Sequence, residues 1–67
     1  MKISLKKLSE EKYEVTITKD NETIFNDTRY YNYMGQEMVN NITIDDTINQ
    51  LSSLFGQFDE IENDFNI

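Results

Sequence analysis

Residues 34–67 carry seven carboxylates and no cation: Glu37, Asp45, Asp46, Asp59, Glu60, Glu62 and Asp64. Residues 1–33 hold all six basic side chains and six acids, so the whole formal charge of −7 lies in the second half. Carboxylates at such spacing can ligate calcium, work in pairs as general acid and base, or dock against a basic surface. The run Asp59-Glu60-Ile61-Glu62-Asn63-Asp64 lacks the central Gly and the spaced oxygen pattern of a calcium loop. A hydrolytic pair needs a cleft, and substrate pockets run to ~300–1,000 Å³. A chain of 67 residues that is 37% apolar can build a thin core, with little left to wall such a pocket. Docking is the chemistry that remains.

The second candidate is Arg29-Tyr30-Tyr31-Asn32-Tyr33-Met34, which gathers three Tyr, one Met and the only Arg into six residues. Tyr and Arg dominate interface hot spots because they join contact area to a polar handle. In an extended chain Tyr31 and Tyr33 share one face and Tyr30 takes the other, so at least one ring is expected at the surface. Arg29, Tyr31 and Tyr33 therefore join Asp45, Asp46, Asp59, Glu60, Glu62 and Asp64 as the expected partner-binding residues.

The missing residues narrow the chemistry further. There is no Cys, His, Trp, Pro or Ala. Disulfides, Cys/His zinc sites and thiol or imidazole catalysis are excluded. Ser52 and Ser53 have no base to activate them. The residue usage thus predicts no enzyme, no cofactor and no metal. No apolar run approaches the ~20 residues of a membrane span. Met1-Lys2-Ile3-Ser4-Leu5-Lys6-Lys7 carries no apolar core of a secretory signal, so a cytoplasmic location in a bacterial host is expected. Asn21-Glu22-Thr23, Asn26-Asp27-Thr28 and Asn41-Ile42-Thr43 match the glycosylation sequon, a chance match in an Asn/Thr-rich chain without such a signal.

The elements that position these residues follow from periodicity. Residues 2–8 alternate, and residues 12–19 alternate strictly, with Tyr13, Val15 and Ile17 on one side. Asp20-Asn21 supplies turn chemistry. A third strand spans residues 22–31, with a bulge expected near Asn26-Asp27 to reconcile its two phases. Residues 34–41 read as a loop or short helix around Gly35. From Ile44 the period changes: Ile44, Ile48, Leu51, Leu54, Phe55, Phe58, Ile61 and Phe65 fall within an arc of about 140° on a helical wheel. Thr43 and Asp46 form a capping box, and Asp45 and Asp46 suit the positive end of the dipole. The expected helix covers residues 44–63, with Gly56 on its exposed face at a cost of ~1 kcal/mol relative to Ala. Asp59, Glu60, Glu62 and Asp64 then crowd the negative end of the dipole, an uncompensated conflict of the kind that marks functional sites. The expected fold is α+β over residues 1–67: a three-stranded antiparallel meander with one C-terminal amphipathic helix on one face, β-β-β-α.

Gly, Ala, Pro, Arg and Trp together supply only three residues, while Asn, Ile, Lys, Tyr and Phe abound. That usage points to an AT-rich bacterial, phage or plasmid gene. In size, charge and residue usage the chain resembles small acidic phage and mobile-element inhibitors of host defence, the anti-CRISPR and DNA-mimic type. The resemblance implies a stoichiometric inhibitor that blocks a nucleic-acid-binding surface of a basic host protein, such as a CRISPR nuclease, without itself binding nucleic acid or membrane. Two other classes fit the residues. One is a structural or accessory protein that self-associates, as a homodimer for instance, through a sheet edge or the tyrosine cluster. The other is a sponge for a small nucleotide signal.

Overall fold

Strict alternation of β-branched and aromatic residues with polar ones makes the first three elements half-buried strands. The computed structural model describes residues 1–65, with β1 at Lys2–Lys7, β2 at Lys12–Lys19 and β3 at Glu22–Tyr30. β1 and β2 pair antiparallel with Ile3 opposite Ile17 and Leu5 opposite Val15. These four side chains and Tyr13 are buried on one face. Lys6, Glu14, Thr16 and Thr18 lie on the other face, beside Asn26 and Thr28 of β3.

Asp20 and Asn21 join β2 to β3 with φ of 52° and 63°. Two successive left-handed residues give a hairpin turn whose twist matches that of the strands. The bulge sits earlier than Asn26-Asp27. Ile17 pairs with Phe25 and Thr18 with Thr23, so Ile24 is the extra residue. Downstream of it, Phe25, Asp27 and Arg29 lie opposite Ile17, Val15 and Tyr13, on the buried side of the sheet.

Residues 31–43 form a loop with two isolated bridges, Tyr31 to Glu37 and Gln36 to Thr43. The helix α1, Ile44–Phe55, then starts at Thr43 with the expected capping box. The Thr43 hydroxyl accepts from the Asp46 amide at 3.1 Å, and Asp46 Oδ2 accepts from the Thr43 amide at 3.3 Å. Ile44, Thr47 and Leu51 are buried, Ile48 packs beside them, and Phe55 meets Phe25 at 5.3 Å between ring centroids. Full burial of an Ile or Leu side chain is worth ~1.5–3 kcal/mol, so this one stripe supplies most of what holds the helix.

The helix does not continue to residue 63. Gly56 takes φ 114° and ψ 175°, a region open essentially to Gly alone, and its amide closes the last turn on the Ser52 carbonyl at 2.8 Å. The chain then returns to the sheet as β4, Glu60–Asn63, which pairs parallel with β1. The architecture is therefore a four-stranded mixed sheet in the order β3-β2-β1-β4 with α1 between β3 and β4, which replaces the expected meander and C-terminal helix. The physical reason is the open edge of β1. Its backbone groups need partners, and the segment after Gly56 supplies them: the Asp59 amide donates to the Met1 carbonyl at 2.8 Å and the Asp64 amide to that of Leu5 at 3.2 Å. Phe58 and Phe65 pack on the core from this segment, and Ile61 lies opposite Ile3, half exposed. Leu54, on the expected apolar arc, is exposed.

Gly56 thus terminates the helix rather than weakening its middle. Gly56→Ala is expected to destabilise the protein by about 1 kcal/mol or more, although Ala is the better helix former. Chemical denaturation reads the effect, and a gain in stability would contradict the assignment.

Candidate functional site

β4 is an edge strand, and it carries the acidic run into the open. Glu60 and Glu62 share one face of it. Lys2 lies opposite Glu60, and its Nζ reaches Glu62 Oε1 at 2.6 Å and Glu60 Oε2 at 3.3 Å. Hydrogen bonds that Lys2 donates to Glu62 and then to Glu60 raise its pKa above the ordinary value. The Met1 ammonium meets Asp59 Oδ2 at 2.6 Å and holds the Asp59 carboxyl below the usual carboxylate range. Asp64 Oδ2 accepts from the Lys7 amide at 2.8 Å.

These contacts revise the role of the four acids. They are not repelling charges at a helix end, because the helix stops before them. Each has a partner on β1 or at the chain start, and together they fasten β4 to the sheet. They also outnumber the cations they meet. Asp59, Glu60, Glu62 and Asp64 remain exposed, and their ion pairs among the described residues use only the Met1 ammonium and Lys2.

The helix start adds two more carboxylates, on the layer opposite the sheet face that carries Glu60 and Glu62. Asp45 and Asp46 are exposed in the first turn of α1. Asp45 shares an open groove of about 360 Å³ with Asn63, Phe65, Tyr33 and Met34. The helix N-terminus therefore abuts the end of β4. Five steps of ~3.3 Å along the chain from Asp59 to Asp64 make an acidic strip of ~16 Å, with Asp45 and Asp46 beyond its end.

The tyrosine cluster divides. Tyr31 is wholly buried and belongs to the core, against the expectation of a partner-binding residue. Its ring meets Tyr13 edge-on at 5.8 Å and Phe65 edge-on at 5.4 Å, while Tyr13 and Phe65 stack at 4.0 Å. Its hydroxyl donates to Thr47 Oγ1 at 3.4 Å, and burial raises the Tyr31 pKa despite that bond. Tyr33 is the opposite case, 92% exposed, with Met34 beside it. Asn32 Oδ1 accepts from the amides of both Met34 and Gln36, and Gly35 turns at φ 77°. This side-chain-mediated turn holds Tyr33 and Met34 at the loop tip.

Arg29 points to the helix side of the sheet rather than to open solvent. Its Nε donates to Asp27 Oδ2 at 3.0 Å, and its side chain is 21% exposed. Burial opposes its charge, but the Asp27 hydrogen bond and the nearby Tyr31 and Glu37 more than offset that, so its pKa is raised. Sequence reasoning missed Asp27 and Glu37 here. Asp27 shares the phase of Phe25 and Arg29, and that was a usable signal once the bulge was placed. Glu37, 8% exposed, sits in an irregular loop where no periodicity marks it.

Among the described residues, no group of three or more His, Cys, Asp or Glu side chains is placed to hold a metal ion, and no helix is long and apolar enough to cross a membrane. No family model matches the chain, and neither the curated proteins nor the solved structures give a significant match.

The β4 clasp has a defined pH window. Asp59 has a lowered folded pKa, so its contribution is present at neutral pH and is lost as pH falls through that value. Lys2 has a raised one, so its contribution is present below the ordinary value of 10.5 and is lost as pH rises through the folded value. The amide shifts of Ile61 and Asn63 are expected to move toward disordered values at both limits, while those of Val15 hold. Asp59→Asn should remove part of the acid-side change. An acid-side profile identical to wild type would refute the clasp.

Proposed function

We propose that the protein is a small acidic binding protein that acts by occupying a basic surface of a partner protein, of the kind that otherwise holds nucleic acid. A phage- or mobile-element-encoded inhibitor of a host nuclease, such as a CRISPR nuclease, is the fullest form of this reading. The observation that carries it is the row of Asp59, Glu60, Glu62 and Asp64 on and flanking an exposed edge strand, with Asp45 of the helix start across a groove from the end of that strand.

A cleft that binds a duplex is shaped to meet one negative charge per ~1.7 Å of helix axis. A protein competing for it must present carboxylates in a fixed row. β4 fixes its row by pairing with β1, so little side-chain and backbone freedom is lost on docking. Tyr33 and Met34, at the end of the strip that holds Asp45, add an exposed apolar anchor beside the charge. Interfaces of this composition join rapid electrostatic steering to a buried aromatic contact.

The experiment is capture of partners on the immobilised protein, with and without competing duplex DNA. The bound protein is expected to be a nucleic-acid-binding one that the duplex displaces. Asp45→Asn with Glu60→Gln should weaken that binding by about tenfold or more while the unfolding transition stays near wild type, since the Met1–Asp59 and Lys2–Glu62 pairs survive. Capture indifferent to DNA, or unchanged in the double variant, would contradict the reading.

A further inference from the structure

The edge opposite β4 carries a second, differently built surface. Among the described strands β3 pairs with β2 alone, so its other side is open up to Tyr30, where the loop covers it. In a strand the N–H and C=O of one residue point to the same side, and successive residues alternate. The Tyr31 amide donates to the Glu11 carbonyl, toward β2, while the Tyr30 carbonyl accepts from the Met38 amide at 2.9 Å on the free side. Asn26, Thr28 and Tyr30 therefore present their backbone groups to the open edge. Two of these groups are already engaged. The Tyr30 carbonyl is held by Met38, and the Thr28 amide donates to Asp27 Oδ1 at 2.9 Å. Met38 also stands opposite Tyr30 and covers the edge there, so the amide of Asn26 and the carbonyls of Asn26 and Thr28 are left among the described residues.

On the helix side of this edge lies an open groove of about 310 Å³, whose walls include Asp27, Arg29, Glu37, Val39, Asn40 and Gln50. It holds two carboxylates against one guanidinium. Asp27 is engaged on both oxygens, by the Thr28 amide and by Arg29. Glu37 is more than nine-tenths buried, and only its Oε2 has a donor among the described residues, Asn40 Nδ2 at 3.0 Å. Among the described residues no fully buried side-chain oxygen lacks a partner, so Glu37 Oε1 keeps some contact with solvent, and Glu37 lines the groove. A carboxylate placed that way, in a site of net negative charge, calls for a cation with hydrogen-bond donors. Val39, 82% exposed at the rim, offers apolar contact to the stem of a long side chain.

We propose that the free edge of β3 is a docking site for an extended basic segment of the partner protein, which adds to the sheet along Asn26–Thr28 and places a Lys or Arg side chain in the groove at Glu37. Strand addition of this kind takes affinity from main-chain hydrogen bonds and specificity from side-chain pockets. As the strand enters, its carbonyl takes over the Thr28 amide, and Asp27 is freed to share the incoming cation. A second copy of this chain is the wrong occupant. It brings a charge of −7, and antiparallel pairing centred on Asp27 sets that carboxylate against its own symmetry mate. The inference deepens the proposed function, because it rests on a basic partner protein, but it uses the opposite edge from the acidic strip.

The test uses the full chain, labelled for NMR, and a capped octapeptide of alternating Thr and Arg, with a Thr/Gln octapeptide as control. The Thr/Arg peptide is expected to shift the amides of Asn26 and Thr28 and to slow their hydrogen exchange. Glu37→Gln, which keeps the acceptor for Asn40, should weaken it at least tenfold, and the Thr/Gln peptide should bind at least tenfold more weakly. Asn26→Pro removes one free-edge donor that the fold does not use and should abolish the exchange protection. Absence of binding, or equal binding to Asn26→Pro, would overturn the inference. Shifts confined to Glu60 and Glu62 would overturn it too, while leaving the acidic strip and its DNA-competed capture intact.

Discussion

The parallel pairing of β4 on β1 is the constraint on which the rest of the molecule depends. A sheet of three strands would leave β1 as a bare edge next to the most buried residues, Ile3 and Leu5. Closing that edge requires the chain to leave the helix, cross back and run alongside its own first residues. Gly56 makes the exit sterically open, and Asp59, Glu60 and Glu62 meet the Met1 ammonium and Lys2 on arrival. Exposed ion pairs contribute little each, typically under ~1 kcal/mol. Their value here is register: a four-residue strand has few backbone bonds with which to choose its position, and a charge pattern that matches in one alignment removes the slipped ones. The same return of the chain carries Phe65 onto Tyr13 and Tyr31, which closes the end of the core.

That arrangement links the fold to the proposed function. The carboxylates that fasten β4 are also the ones it displays, since a side chain on an edge strand bonds its neighbour with one oxygen and faces water with the rest. Four acids against two cations leave an excess of negative charge fixed in a row. At the other edge, the bulge at Ile24, the Asp27 cap on Thr28 and the Met38 bond to Tyr30 restrict unselective pairing. Inward-pointing charge and bulges are the usual devices for keeping edge strands from aggregating. The two edges thus differ in kind, one offering a charged row and the other a short, guarded stretch of backbone.

Much of the sheet was legible from the sequence. Tyr13, Val15 and Ile17 alternate with polar residues and are the buried face of β2. Asp20-Asn21 is a turn because both residues tolerate left-handed geometry, and Thr43 with Asp46 caps the helix through bonds between near neighbours. What misled was a coincidence of periods. Phe58, Ile61 and Phe65 continue the helical spacing of Ile44, Ile48 and Leu51, yet they lie beyond the helix, where Phe58 and Phe65 pack on the core and Ile61 is half exposed. A single Gly at the junction outweighs seven residues of helical pattern, because the β1 edge offers backbone partners that a longer helix would forgo. The site was legible in composition and illegible in geometry: the acids are where the charge lies, but their partners on β1 are nearly 60 residues away in sequence. Tyr31 is buried by residues also distant in sequence, Tyr13, Thr47 and Phe65, which no local pattern signals.

The proposed function makes the fixed carboxylates on and beside β4 the drivers of binding. The most direct measurement is the affinity of the wild-type protein for its captured partner as sodium chloride is raised. Association between a carboxylate row and a basic cleft is screened by salt, so the logarithm of the affinity should fall steeply and linearly against the logarithm of the salt concentration. An affinity that stays flat over that range would contradict the claim and assign the binding to apolar contact instead.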